Sequence, residues 1–177
     1  MPFPIIATLI LFVAVCAGVD LRVRRIPNFI SGPAIVAGVA LNGLYFGADG
    51  VRTSLMGLFA ATAVLLAPFA LGGLGGGDVK MMAAVGAFLG PRLALWSMAL
   101  GMILGGFVML CHLAREGRLR EKLERTGAML AAALATGSVS PLRASANDPG
   151  AIALPYSVPL GLGTLAVVAL RGTRVCP

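Results

Sequence analysis

Pro4-Ile-Ile-Ala-Thr-Leu-Ile-Leu-Phe-Val-Ala-Val-Cys-Ala-Gly-Val19 is a charge-free, mostly apolar run that ends at Asp20 and an arginine cluster of Arg22, Arg24 and Arg25. A spanning helix needs roughly 17–25 mostly apolar residues, and this run approaches that length before its first charge. No basic segment precedes it, and it passes straight into Asp20 and the arginines, so it reads as a retained helix and not as a signal peptide. Four comparable stretches follow, at 29–46, 53–71, 93–112 and 151–170, with a shorter one at 79–89. Together they predict an all-α, polytopic membrane bundle of about six transmembrane helices in a single domain.

Composition agrees. Apolar residues make up 58% of the 177 and the mean hydropathy is +0.94, which is far more than a water-soluble domain of this size needs. Cys16, Cys111 and Cys176 are too scattered for a paired metal knuckle and read as small hydrophobes. The net charge of +7 could suggest nucleic acid. Its positions beside apolar spans instead point to membrane orientation, so the partner expected from composition is the lipid bilayer.

The charges also choose a topology. With the N-terminus outside, segments 20–28, 72–80 and 113–150 face the cytoplasm and carry ten of the 14 Lys and Arg. Arg52, Arg92, Arg171 and Arg174 fall in external loops and the tail. The inverse arrangement would translocate the ten, so N-out/C-out is expected. Segment 114–150 opens with Leu119, Leu123, Leu130 and Leu134 near helical spacing, opposite Arg118, Glu121, Lys122 and Arg125. It reads as an amphipathic interfacial helix or a solvated cytoplasmic one, with 138–150 a loop leading into the last span. Gly101, Gly105 and Gly106 in the fifth span suit close helix packing in lipid.

Ionisable residues at membrane depth are costly and mark function; here they are Asp20, Asp78 and Lys80. Asp78 closes the run Gly72-Gly-Leu-Gly75-Gly-Gly77 and is followed by Val79-Lys80. The apolar stretch behind it, 79–89, is only about 16 Å long as a helix against a hydrocarbon core of about 30 Å. The glycine run is therefore expected to dip below the surface as non-helical backbone lining a wet cavity, with Asp78 inside it. Taken alone, Asp78 also fits a helix N-cap, and Asp20 fits an interfacial carboxylate paired with Arg22 or Arg24. As a pair they fit something else. An odd-numbered span ending at Asp20 and an even-numbered span starting at Asp78 put both carboxylates on the cytoplasmic side, where one could activate water and the other protonate a carbonyl. Lys80 reads as snorkelling to the headgroups or as stabilising the ionised pair. His112 ends the fifth span with no second His or acidic neighbour at ligand spacing, so no metal site is expected. Neither a serine triad motif nor a phosphate-binding loop is present, because the glycine run lacks a Lys-Ser/Thr ending.

Three segments, Asp20-Leu-Arg-Val-Arg-Arg-Ile-Pro-Asn28, Gly75-Gly-Gly-Asp78-Val-Lys80 and Leu154-Pro-Tyr-Ser-Val-Pro159, together resemble the type IV prepilin peptidase family, particularly the small enzymes of Flp-type, tight-adherence pilus systems. The resemblance implies a six-helix membrane core of the inner membrane, with its active site facing the cytoplasm. There, two aspartates, here Asp20 and Asp78, would cleave the leader of a prepilin just cytoplasmic of its hydrophobic segment. Gly75 and Gly77 correspond to the GxGD motif, Lys80 and Tyr156 receive no assigned chemistry, and no cofactor is implied. Tyr156 fits an interfacial aromatic. Ser157 stands where the resembled Pro-Tyr-Gly pattern carries glycine. Larger members carry a cytoplasmic insertion with paired cysteines and methylate the new N-terminus. This chain has no such pairs and no room before Asp20, so peptidase activity without methylation is expected. The competing readings are another GxGD intramembrane protease, whose Tyr-Asp helix motif is missing here, and a non-enzymatic transporter or assembly-platform subunit whose carboxylates bind a proton or cation.

Overall fold

A computed structural model describes residues 1–23, 27–70, 74–117 and 156–172, with isolated positions between 120 and 131. Among the described residues the regular elements are helices, with no strand: α1 (Phe3–Val23), α2 (Asn28–Ala70), α3 (Gly76–Leu89), α4 (Pro91–Arg115) and α5 (Ser157–Gly172). Of these, α1, α2 and α4 are long and apolar enough to cross a membrane. Arg24 and Arg25, Gly72 and Gly73, the leucines of the interfacial reading and most of segment 114–150 lie outside the described residues.

As one rod, the 43 residues of α2 would reach about 65 Å, twice the hydrocarbon core. They do not form one rod. Gly47 has φ 63° and ψ −144°, a conformation that glycine adopts without a side-chain penalty, and the helix folds back there. A Cβ placed on Gly50 would run into the Asn42 carbonyl, and one on Gly43 would lie 2.9 Å from the Val51 side chain. The sequence places Arg52 in a short external loop; the structure instead keeps helix on both sides of a one-residue hinge. The 29–46 and 53–70 stretches thus become two arms of one hairpin.

The arms clasp α3. Every residue of α3 from Met81 to Leu89 is buried, as expected of a helix that is apolar all round. Asn42 on the first arm donates from its side-chain amide to the carbonyls of Ala87 (3.0 Å) and Phe88 (3.2 Å), and of Gly38 on its own helix (2.9 Å). Ser54 on the second arm donates to Ala87 at 2.6 Å. These bonds satisfy carbonyls that a helix C-terminus leaves open, inside a bundle where water is scarce. We expect Asn42→Leu to cost about 1–3 kcal/mol, read as a lower unfolding midpoint in detergent, whereas a surface change such as Leu44→Ala leaves the midpoint in place.

On the other flank, α4 and α5 close against each other through small residues. A Cβ on Gly101 would sit 2.7 Å from the Leu160 Cα, and one on Gly105 would sit 3.2 Å from Pro159. Packing is thus the role of these two glycines. Gly106 meets nothing within 4 Å and does not share it. Large apolar side chains face outward along the bundle, among them Phe3, Phe29, Val36, Leu44, Phe59 and Ile103, the inverse of a soluble surface.

The bundle has two distinct ends. One gathers Asp20, Asn28, Phe69, Gly76, Asp78, Lys80 and Ser157, linked by contacts among them. At the other, Met1, Asp49, Arg92 and Arg171 line a cavity of about 590 Å³.

Candidate active site

Asp20 occupies the last turn of α1 and Asp78 the first turn of α3, exposed by only 7% and 8%. Ionised groups are rarely buried to that degree without partners, and each carboxylate has one. Helices α1 and α3 pack together. The two residues singled out from the sequence are brought to one place.

Asp78 is held by its own loop. The N-cap position belongs to Gly75, extended at φ −76° and ψ 145°, and the Asp78 carboxylate accepts a hydrogen bond from the Gly75 backbone N–H. Asp78 is therefore not the cap itself but the side chain that reaches back to it, as in a capping box. A Cβ on Gly75 would lie 3.2 Å from Asp78 Oδ2, tighter than nearly all ordinary contacts, which is the local reason for glycine there. Gly76 and Gly77 are already helical. The expected non-helical stretch is thus shorter than the sequence suggests, confined among the described residues to 74–75. Gly77 is partly buried beside Asp78.

Asp20 is held from across the bundle. Ser157, fully buried at the start of α5, donates from Oγ to Asp20 Oδ2 at 2.5 Å. No feature of the sequence pairs two residues 137 positions apart, and Ser157 had drawn notice there only as a departure from glycine. Lys80 reaches away from the pair: its ammonium donates to Asn28 Oδ1 at 2.6 Å, with both side chains exposed. That bond ties the first turn of α3 to the first turn of α2 and fixes where the Asp78 turn sits. Asn28, which enters the sequence reading only as the end of the Asp20–Asn28 segment, is the residue missed. Its signal was its place directly after Pro27 at a span boundary.

Tyr156 lays its ring edge near Gly105 of α4. His112 pairs with Glu116 at 3.1 Å. This corrects the reading of His112 as lacking an acidic neighbour, since one stands a helical turn further on. Among the described residues no cluster of His, Cys, Asp or Glu gathers three ligands for a metal. Two buried carboxylates at one end of an apolar bundle, each with a hydrogen-bond donor, can hold water between a base and an acid.

The family described as the type IV leader peptidase family matches residues 7–110, more than half of the chain and inclusive of both aspartates. No curated protein and no solved structure matches it.

Proposed function

This chain belongs to the type IV leader peptidase family, and from that premise we propose that it is a membrane aspartyl endopeptidase that cleaves the leader of Flp-type prepilins. Asp20 and Asp78 form its catalytic pair. The observation that carries this reading is the burial of the two carboxylates at one end of the bundle, on helices that pack against each other. Like charges held close separate their proton affinities, so the pair keeps one proton between them over a range of pH. The ionised member takes a proton from water as that water attacks the scissile carbonyl. The protonated member supplies the proton to the carbonyl oxygen. The pair titrates as a unit and requires no resident metal or organic cofactor.

Six crossings follow if the two arms of α2 count separately beside α1, α3, α4 and α5. The short α3, about 21 Å long, does not match a core of about 30 Å, but it is buried from Met81 to Leu89, so protein rather than lipid surrounds most of it. With both termini outside, the aspartate end faces the cytoplasm of the inner membrane, in accord with the distribution of Lys and Arg. The substrate is then a membrane-inserted helix whose basic leader projects into the cytoplasm beside Asp20 and Asp78. Gly75, Gly77 and Lys80 shape and anchor the turn that presents Asp78.

The test is co-reconstitution of the purified protein with a synthetic precursor that carries a lysine-rich leader ahead of an apolar helix of about 20 residues. The cut is located by mass spectrometry. The proposal expects it between the leader and the helix. A cut deep within the span would assign the chain to another kind of intramembrane proteolysis, and an intact precursor would favour a proton- or cation-binding subunit.

A further inference from the structure

Ser157 is the first residue of α5, one position past Tyr156, whose carbonyl accepts from the Leu160 N–H at 3.1 Å. It is completely buried, and its hydroxyl crosses to Asp20 Oδ2 at 2.5 Å. We propose that Ser157 is a positioning residue that holds the Asp20 carboxylate in place and makes Asp20 the ionised base of the pair, so that the shared proton rests on Asp78. This inference rests on the reading of Asp20 and Asp78 as a catalytic pair.

Ser157 Oγ donates to Asp20 Oδ2 at 2.5 Å, at the short end of O–H···O bonds. A donor to the charged form of a carboxylate favours that form. Asp78 also has a donor, the Gly75 N–H. A protonated carboxyl keeps an acceptor oxygen for such an amide while its own O–H points elsewhere. The Gly75 contact is therefore compatible with a neutral Asp78, whereas the Ser157 contact favours a charged Asp20.

Among the described residues, the other groups at this end of the bundle do not offer the same bond. On its own helix, Cys16 lies one turn back, buried, and Arg22 is exposed one half-turn on. From α3 come Asp78, of like charge, and Lys80, whose ammonium is taken by Asn28. The α2 turns at this end carry Asn28 and Phe69 but no titratable side chain. Ahead of α5, Tyr156 packs its ring against Gly105. Among the described residues, Ser157 is the buried side-chain donor to Asp20.

The experiment compares pH profiles of kcat and KM for the parent, Ser157→Ala, Ser157→Gly and Ser157→Thr with the synthetic precursor. Activity requires Asp20 ionised, so its protonation sets the acidic limb. Removing a donor to the charged form raises the pH at which that limb falls. We expect Ser157→Ala to lower kcat about tenfold near neutral pH, with KM unchanged, and to move the acidic limb upward by about one pH unit. Ser157→Gly should move it equally, and this keeps the test open if the alanine variant does not fold. Ser157→Thr restores the hydroxyl and keeps the parental limb. An acidic limb that stays in place in both hydroxyl-free variants overturns the proposal, whatever their rates. Failure of the underlying pair would look different: the parent would not cleave, or Asp20→Asn would.

Discussion

Asp78→Asn and Asp20→Asn each lower the rate of precursor cleavage by at least about a thousandfold, in line with the loss of a general acid or base. Asparagine has nearly the shape of aspartate, so little else changes. At position 78 its side-chain oxygen still accepts from the Gly75 N–H that now meets the carboxylate. At position 20 its oxygen still accepts from Ser157. What is lost is the ability to exchange a proton with water or with the carbonyl oxygen. Stability should move in the opposite sense from activity. A buried charge is costly to desolvate, so an amide in place of either member of the pair leaves the unfolding midpoint unchanged or higher, the trade seen where an active site is built at the expense of stability. Initial rates by mass spectrometry, paired with thermal unfolding in the same detergent, check both. A folded asparagine variant that cleaves at the parental rate removes that aspartate from the mechanism.

Gly57→Val prevents the hairpin from closing on α3, and the protein fails to yield a monodisperse, active preparation. Any Cβ at this position would collide with the Gly86 carbonyl oxygen and lie 2.7 Å from the Gly90 Cα. The contact is reciprocal, since a Cβ on Gly86 would strike the Gly57 carbonyl. Both obstacles are backbone, so no rotamer change relieves them. The smaller Gly57→Ala costs about 1–3 kcal/mol or more, as overpacking does, and lowers the unfolding midpoint. Gly106→Ala is the control, because nothing lies within 4 Å of that position; it leaves the midpoint within error or raises it slightly. Equal tolerance at Gly57 and Gly106 would mean that the second arm of α2 does not approach α3 as described.

What the sequence discloses and what it hides divide along a physical line. Apolar length reveals the helices, because a bilayer imposes a minimum span. Counting spans brings Asp20 and Asp78 to one side without any knowledge of packing. The hinge at Gly47 is half legible: the turn residues around it mark a reversal, but helix resumes at once where a loop with Arg52 is the natural reading. Contacts that depend on three-dimensional packing leave no trace along the chain. Ser157 meets Asp20, Lys80 meets Asn28, and Asn42 meets the end of α3, all across separations with no periodicity to announce them. Asn42 carried a partial signal, being an amide in the middle of an apolar stretch, where an unpaired polar group is expensive. The glycine contact between positions 57 and 86 gave none, since small residues are frequent throughout the chain.

If the carboxyl groups of Asp20 and Asp78 share one site, their proximity can be read by cross-linking. Cysteines replace both aspartates in a variant whose Cys16, Cys111 and Cys176 are changed to alanine, and a short bifunctional thiol reagent is applied in membranes. The account predicts efficient intramolecular cross-linking of the 20/78 pair and none for a 20/92 pair, whose members sit at opposite ends of the bundle. A 20/78 pair that links no better than 20/92, in protein that remains folded, would contradict it.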